Sequence, residues 1–306
     1  MIKEPPDGGG LLKGKAMNSD GCSTLNVPQL KNAAVITPCG MMIEPYGEHK
    51  FSEIKQEYSE KAERFSDCSA FVLKGMTMLS DLRAALLACR KTGKPVYAVL
   101  DIDEELRTTA ELPADAALIT LQSMGLSGFG ITSNDEENVV AAVKRLVNFA
   151  KIPVFAQISD KGLEEISAAG IYADYIEGYS VFSVDEDKKE TAIMLANERE
   201  AFFLELDTTE LSEPIACEAN IDEILCDLSQ ENFDVLRIEI NSPDDAVAFT
   251  ENAHMASLPI MFTCEDDISI MLALMLYQGR ALIDSTCTLD EETITKATKK
   301  YGAVIY

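Results

Sequence analysis

The chain has few of the residue patterns that mark common binding or catalytic sites. It contains only two histidines, His49 and His254, and neither lies in an HxH, HExxH or HxxxD context, so the sequence predicts no histidine-based metal site or triad. The eight cysteines are scattered without a C-x-x-C pair, which excludes a zinc knuckle and a thioredoxin-type motif. Neither a P-loop nor a G-x-G-x-x-G sequence occurs. Common nucleotide and zinc motifs are therefore absent.

Basic residues are also scarce. There are 26 Lys and Arg against 52 Asp and Glu, a formal net charge of −26. A surface this negative repels phosphate backbones and anionic lipids, so we expect no nucleic-acid partner and no membrane partner. The longest apolar stretch, residues 268–277, is about half the length that a bilayer span requires. With no apolar segment in MIKEPPDGGG at the start, we expect a cytoplasmic protein.

What the chain does have is a regular alternation of short β-branched or aromatic runs with amphipathic helical patterns. Eleven runs are predicted strands, at residues 33–36, 70–73, 95–100, 128–132, 153–158, 174–176, 202–206, 234–240, 259–263, 281–284 and 303–306. Their lack of polar alternation is typical of strands in parallel sheets covered by helices. Residues 82–90 and 136–151 are clear predicted helices. Alternation of this kind predicts an α/β fold, either a barrel or a doubly wound sheet.

The charged, helix-prone segment at residues 183–200 suggests a domain boundary. We place it so that residues 1–196 form a (β/α)8 TIM-barrel-like domain and residues 197–306 form a smaller, incomplete α/β half-barrel. One composite barrel that borrows strands from the second part is the alternative.

Three segments carry a family resemblance: ITPCGMMIEPYG at residues 36–47, FVLKGMTMLSDLRAALLACRKTGKPVYAVLDIDE at 71–104, and ALITLQSMGLSGFGITS at 117–133. They resemble the homocysteine S-methyltransferase domain of the cobalamin-dependent methionine synthase family. Residues 234–306, with LPIMFT, YQGRALIDS and KKYGAVIY, resemble the first half of the pterin-binding barrel of that family. The resemblance implies methyl transfer, with zinc as the metal and with folate and cobalamin as methyl carriers.

In the family three cysteine thiolates hold the zinc that activates homocysteine. The corresponding positions here are Ser133, Tyr179 and Ser180, and hydroxyl groups are poor zinc ligands. We therefore expect no metal. The chain would then be a binding, assembly or regulatory relative that has lost the zinc-thiolate site. An active methyltransferase of the same superfamily is one alternative, and retained methionine synthesis with zinc on other ligands such as Cys39 is another.

Barrel enzymes act at the carboxyl ends of their strands, so polar residues there are the candidate site residues. Cys39, Lys74 and Asp101 are the catalytic candidates. The candidates for substrate binding are Thr37, Ser133, Asn134, Gln157, Tyr179 and Ser180. An open mouth in which Lys74 and Asp101 converge would favour an enzyme, whereas a mouth filled by Tyr179 or Phe182 would favour a binding protein. Expected partners are a small molecule, a corrinoid protein or a second copy of the chain. For Asn134, Asp160 and Ser80, helix capping is an alternative role.

Overall fold

The computed structural model describes residues 32–44, 47–176, 178–184, 192–205, 208–217, 220–228 and 232–306. Its first part alternates strands with helices. The elements are β1 (Ala33–Ile36), α1 (Phe51–Arg64), β2 (Ala70–Lys74), α2 (Leu79–Arg90), β3 (Val96–Asp101), α3 (Ala114–Ser123), β4 (Gly128–Thr132), α4 (Glu136–Leu146), β5 (Val154–Ala156), α5 (Asp160–Ala168), β6 (Tyr172–Ile176) and β7 (Tyr179–Ser183).

The second part begins with a hairpin and continues as a further α/β unit. Its elements are β8 (Ile193–Ala196), β9 (Ala201–Leu204), β10 (Ile215–Ala216), α6 (Ile221–Leu228), β11 (Leu236–Glu239), α7 (Pro243–Asn252), a 3-10 helix (Ala253–Met255), β12 (Ile260–Thr263), α8 (Asp267–Leu276), β13 (Leu282–Ile283), α9 (Glu291–Tyr301) and β14 (Val304–Ile305). The predicted α/β class is confirmed. None of the helices in the described ranges is long and apolar enough to cross a membrane.

Two large sheets organise these elements. The first sheet has the order β1-β2-β3-β4-β5-β7-β6, in which β1 to β5 are parallel and β7 is antiparallel to both β5 and β6. The second sheet has the order β10-β11-β12-β13-β14 and is parallel throughout. Strands β8 and β9 form a separate antiparallel pair. In the part of the chain that is described, both sheets are open at their edges, so a closed ring is not shown.

The apolar residues of the strands divide between two faces of the first sheet. Leu73, Ala98 and Phe129 belong to the large core that also contains the helices. Their neighbours Val72 and Tyr97 belong to a separate cluster formed by strand residues alone, because successive side chains in a strand point to opposite faces. We call the side of the second cluster the far face of the first sheet.

The helices of the two parts pack against each other. The fully buried Arg83 on α2 donates hydrogen bonds to the carbonyl oxygens of Leu274 (2.8 Å) and Met275 (3.3 Å) at the end of α8. These oxygens have no partner within their own helix, so the guanidinium satisfies them. The large core accordingly includes residues from both parts. The predicted boundary between residues 196 and 197 falls in the turn that joins β8 to β9.

Several predicted elements differ in detail from the structure. Strands β7, β8 and β10 were not predicted. Within the helix-prone segment at 183–200, residues 193–196 form β8. Residues 185–191 of that segment lie outside the described residues. The helix predicted at 136–151 ends at Leu146, and the strand predicted at 153–158 ends at Ala156. Short apolar strands such as β8 depend on their partners more than on local propensity.

Candidate functional site

The structure brings the nine candidate residues to one edge of the first sheet, which we call the carboxyl edge. Strands β1 to β5 are parallel, so their carboxyl ends lie side by side. Strand β7 starts at the same edge because it is antiparallel to β5, with Ser180 opposite Ala156. The residues at this edge are Thr37 and Cys39 after β1, Lys74 at the end of β2, Asp101 at the end of β3, Ser133 and Asn134 after β4, Gln157 after β5, and Tyr179 and Ser180 in β7.

The charged candidates at this edge do not converge. Lys74 and Asp101 are both exposed. Asp101 accepts a hydrogen bond from the Thr132 hydroxyl at 3.3 Å, and within the described ranges no hydrogen bond or ion pair connects Asp101 to Lys74. Gln157 is exposed as well, and its side-chain nitrogen approaches the carbonyl oxygen of Gly178 at 3.5 Å. The three polar groups thus face solvent separately instead of forming one catalytic constellation.

The first position that corresponds to a zinc ligand, Ser133, has a structural role. Its hydroxyl donates to the carbonyl oxygen of Ile102 at 2.7 Å. The Ser133 hydroxyl oxygen in turn accepts hydrogen bonds from the side-chain amide of Asn138 at 3.2 Å and from the backbone N–H of Asp135 at 3.4 Å. Ser133 therefore ties the loop after β4 to the loop after β3. A neutral hydroxyl with its hydrogen-bonding capacity already used is a poor metal ligand.

The other two positions, Tyr179 and Ser180, are adjacent in β7 and therefore point to opposite faces of the sheet. The Tyr179 ring packs edge-on against Phe155, with 5.6 Å between ring centroids. Ser180 is buried, with 3% of its surface exposed. Side chains at these positions cannot converge with Ser133 on one ion. The residues present do not fit the zinc of the family, and no three His, Cys, Asp or Glu side chains of the described chain cluster in a way that could hold a metal ion.

Aromatic rings fill the far face below the carboxyl edge. Tyr97 and Phe155 are almost fully buried there and pack edge-on, with 6.3 Å between centroids. Strand β4 makes room for them with two glycines. A Cβ at Gly130 would lie 2.5 Å from the Phe155 ring, and one at Gly128 would lie 2.9 Å from the Tyr97 ring. These side chains therefore fill the far face of the sheet beside β4. Phe182, in contrast, lies in the helix-side core.

Cys39 has two partners that sequence analysis missed. Its backbone N–H donates to the Tyr58 hydroxyl at 3.1 Å, and that hydroxyl donates to the Asp81 carboxylate at 2.7 Å. The Cys39 thiol itself lies 3.8 Å from the same carboxylate oxygen. Tyr58 comes from α1 and Asp81 from the first turn of α2. The only sequence signal was Asp81 at a helix start, because the three residues are 19 and 42 positions apart.

The two side chains that contact Cys39 both have raised pKa values. Burial raises the pKa of Asp81, and burial together with the hydrogen bond to Asp81 raises the pKa of Tyr58. The hydrogen bonds of the cluster therefore stabilise the loop after β1 against α1 and α2.

Asn134, Asp160 and Ser80 are not the N-cap residues of their helices. In each case the N-cap lies one or two positions away. Asp135, not Asn134, caps α4 by accepting from the backbone N–H of Glu137. Ser159, not Asp160, caps α5 by accepting from the backbone N–H of Gly162. Helix α2 starts at Leu79, so Ser80 lies inside it. Asn134 is thus an exposed loop residue at the carboxyl edge.

Comparison with known proteins identifies no family. No family model and no curated protein matches the chain. Among solved structures, a C2-type ketoreductase from a modular polyketide synthase shares 11% sequence identity over 76% of this chain, with a TM-score of 0.21. The match spans about half of that chain, 51% of its length. A TM-score this low does not indicate a common fold.

Proposed function

We propose that this chain is a divergent relative of the homocysteine S-methyltransferases that has kept an α/β scaffold and lost thiol activation. It acts as a binding, assembly or regulatory protein linked to methyl transfer, with a small molecule, a corrinoid protein or a second copy of the chain as partner. The observation that carries the proposal is that the residues at the expected zinc-ligand positions make structural contacts instead. Ser133 holds two loops together, and Tyr179 packs on Phe155, so neither group is free to bind a metal.

The order of the strands supports a barrel-derived scaffold. In each large sheet the parallel strands are neighbours in the order in which they occur along the chain. With right-handed crossovers, this order places all connecting helices on the same face, as in a (β/α)8 barrel. We accordingly propose that the two sheets correspond to a homocysteine-binding-like barrel and a partial pterin-binding-like barrel, with one composite barrel as the alternative arrangement.

The positions of the cavities also support a loss of catalysis at the carboxyl edge. Cavities of 360 and 160 Å³ occur among the described residues, and neither is lined by any of the nine candidate residues. Enzyme active sites are typically concave and enclose their substrates. Among the described residues, neither cavity encloses the exposed side chains of Lys74 and Asp101.

Zinc binding and methyl transfer test this proposal directly. The full chain is incubated with zinc, dialysed and analysed for metal, and methionine formation is then measured with homocysteine and either methyltetrahydrofolate or methylcobalamin. We expect far less than one equivalent of zinc and no methionine above the rate without protein. Stoichiometric zinc together with turnover would establish the active methyltransferase instead. The Cys39→Ser variant is the control, since loss of bound zinc in this variant would show that Cys39 is an unexpected ligand.

Assembly is tested separately by light scattering of the full chain, alone and mixed with a methylcobalamin-loaded corrinoid protein. A dimer or a mixed complex is the expected outcome. A monomer at all accessible concentrations that also binds neither homocysteine nor the corrinoid protein would contradict a binding or assembly role.

A further inference from the structure

The larger cavity, of 360 Å³, lies between the helices of the two parts, and none of the nine candidate residues lines it. The start of α1, the turn between β8 and β9, the region from α7 to the 3-10 helix, and the end of α8 line it. We call it the interhelical cavity. Its volume is within the range of about 300–1,000 Å³ that is usual for small-molecule sites. Nothing in the proposed function of the carboxyl edge uses this space.

The wall of the interhelical cavity is largely apolar. Phe51, Leu272, Met275 and Leu276 contribute side chains to it, together with the ring of Tyr277. The Tyr277 side chain is buried, and its hydroxyl has no hydrogen-bond partner within the described part of the chain. The hydroxyl oxygen is itself inaccessible from the cavity, so the ring is the part of Tyr277 that lines it. The wall thus accommodates a short apolar chain.

Charges of both signs line the same cavity. Lys50 and Arg199 supply positive charge, and Glu44, Glu198 and Glu251 supply negative charge. The first N–H groups of α1 belong to residues that also line the cavity, and such groups have no acceptor within the helix and carry partial positive charge. A purely anionic or purely cationic ligand would therefore meet groups of its own sign. A ligand that carries both charges meets complementary groups for each.

We propose that the interhelical cavity binds a small apolar α-amino acid. Its carboxylate is matched to Lys50 and the start of α1, its ammonium group to the glutamates, and its side chain to the apolar wall. Because a zwitterion has no net charge, the net charge of −26 does not repel it from the protein. The site is distinct from the group of nine candidate residues, since none of them lines the cavity.

Three probes with a six-carbon chain separate the possible causes of binding: norleucine, hexanoate and hexylammonium. Each is titrated into the full chain by isothermal titration calorimetry at concentrations up to about 20 mM, because ligands of this size bind weakly. We expect saturable binding of norleucine and at least roughly tenfold weaker binding of the two singly charged probes. Equal binding of all three would overturn the proposal, since it would show only an apolar hole. Absence of norleucine binding would also overturn it.

Substitutions at the exposed rim of the cavity locate the site without disturbing the core. We expect Lys50→Gln and Glu251→Gln each to weaken norleucine binding roughly fivefold, with unchanged circular dichroism spectra. Lys161→Gln and Glu164→Gln make the same charge changes on α5, whose residues do not line the cavity, and should leave binding unchanged. Equal effects of the rim and control variants would place norleucine elsewhere and refute the assignment. Val247→Trp, which fills the cavity, should abolish binding, whereas Ile268→Trp on α8 should not.

Discussion

Replacing Gly130 by alanine tests the packing that fills the far face of the first sheet. A Cβ at this position would lie 2.5 and 2.8 Å from two atoms of the Phe155 ring and 3.0 Å from the Val99 side chain. These distances are shorter than van der Waals contact, and the ring is buried on the far face. Accommodation therefore requires Phe155 to leave its position, which would disturb its edge-on contacts with Tyr97 and Tyr179.

The expected magnitude follows from two opposing effects. Overpacking of a core by one methyl group costs about 1–3 kcal/mol. Replacing glycine by alanine restricts the unfolded chain and returns about 0.4–1 kcal/mol. The three contacts at 3.0 Å or less place the overpacking cost in the upper half of its range, at about 2–3 kcal/mol. We therefore expect Gly130→Ala to lower the free energy of unfolding by roughly 1–2.5 kcal/mol. Gly128→Ala should cost less, because its shortest contact is 2.9 Å, to Tyr97.

Urea unfolding monitored by circular dichroism measures this change as a shift of the midpoint at constant slope. The double variant Gly130→Ala/Phe155→Leu provides the control, since a smaller side chain makes room for the new methyl group. It should show a coupling energy of at least about 0.5 kcal/mol. A Gly130→Ala variant as stable as the original protein, or the absence of coupling to Phe155, would show that the aromatic rings do not occupy the far face.

Further predictions concern the cluster around Cys39, the buried thiol of Cys89 and the hydroxyl of Ser133. Tyr58→Phe should lower the free energy of unfolding by roughly 1–3 kcal/mol, because it removes the hydroxyl that accepts from the Cys39 backbone N–H and donates to the Asp81 carboxylate. Urea unfolding measures the loss, and an unchanged midpoint would contradict this role of the hydroxyl. Burial raises the pKa of Cys89 from 9.0 to about 12. The unfolded chain loses the thiol proton at a lower pH than the folded chain does. The free energy of unfolding should therefore fall by about 1.4 kcal/mol per pH unit as the pH rises from 9 to about 12. In the Cys89→Ala variant, the free energy of unfolding measured with urea should decline less steeply with pH than in the original protein. The same decline in both proteins would contradict the raised pKa of Cys89. Ser133→Ala should lower the free energy of unfolding by about 1–3 kcal/mol, because it leaves the Ile102 carbonyl without its hydrogen bond. Amide hydrogen exchange in the loop after β4 should become faster. Unchanged exchange rates in this loop would contradict the structural role of Ser133.

The strands that sequence analysis predicted correctly share a local signal. Residues 128–132 are a continuous apolar run between a turn and a helix start, and they form β4 as expected. In α4 the buried residues Val139, Val140, Val143 and Leu146 repeat with helical spacing. Such patterns reflect burial of one face and are visible in any window of a dozen residues.

The elements that were missed depend on distant partners. Strand β7 pairs antiparallel with β5 and β6, and β8 lies in a charged segment that favours a helix by composition. Cys39, Tyr58 and Asp81 meet because α1 and α2 pack side by side, which no spacing along the chain predicts. The interhelical cavity likewise uses four separate regions of the chain.

The amino-acid sequence by itself determined the α/β class, the positions of most strands and the absence of cysteine at residues 133, 179 and 180, because burial periodicity and residue identity are local properties. Only the tertiary structure decided which groups meet. The formation of β7 between β5 and β6 places Tyr179 and Ser180 on opposite faces of the sheet. The packing of Tyr97 and Phe155 over glycines fills the far face, and the contact between the two sets of helices creates a cavity. These outcomes depend on long-range pairing and side-chain packing, which arise only when segments distant in the chain come together.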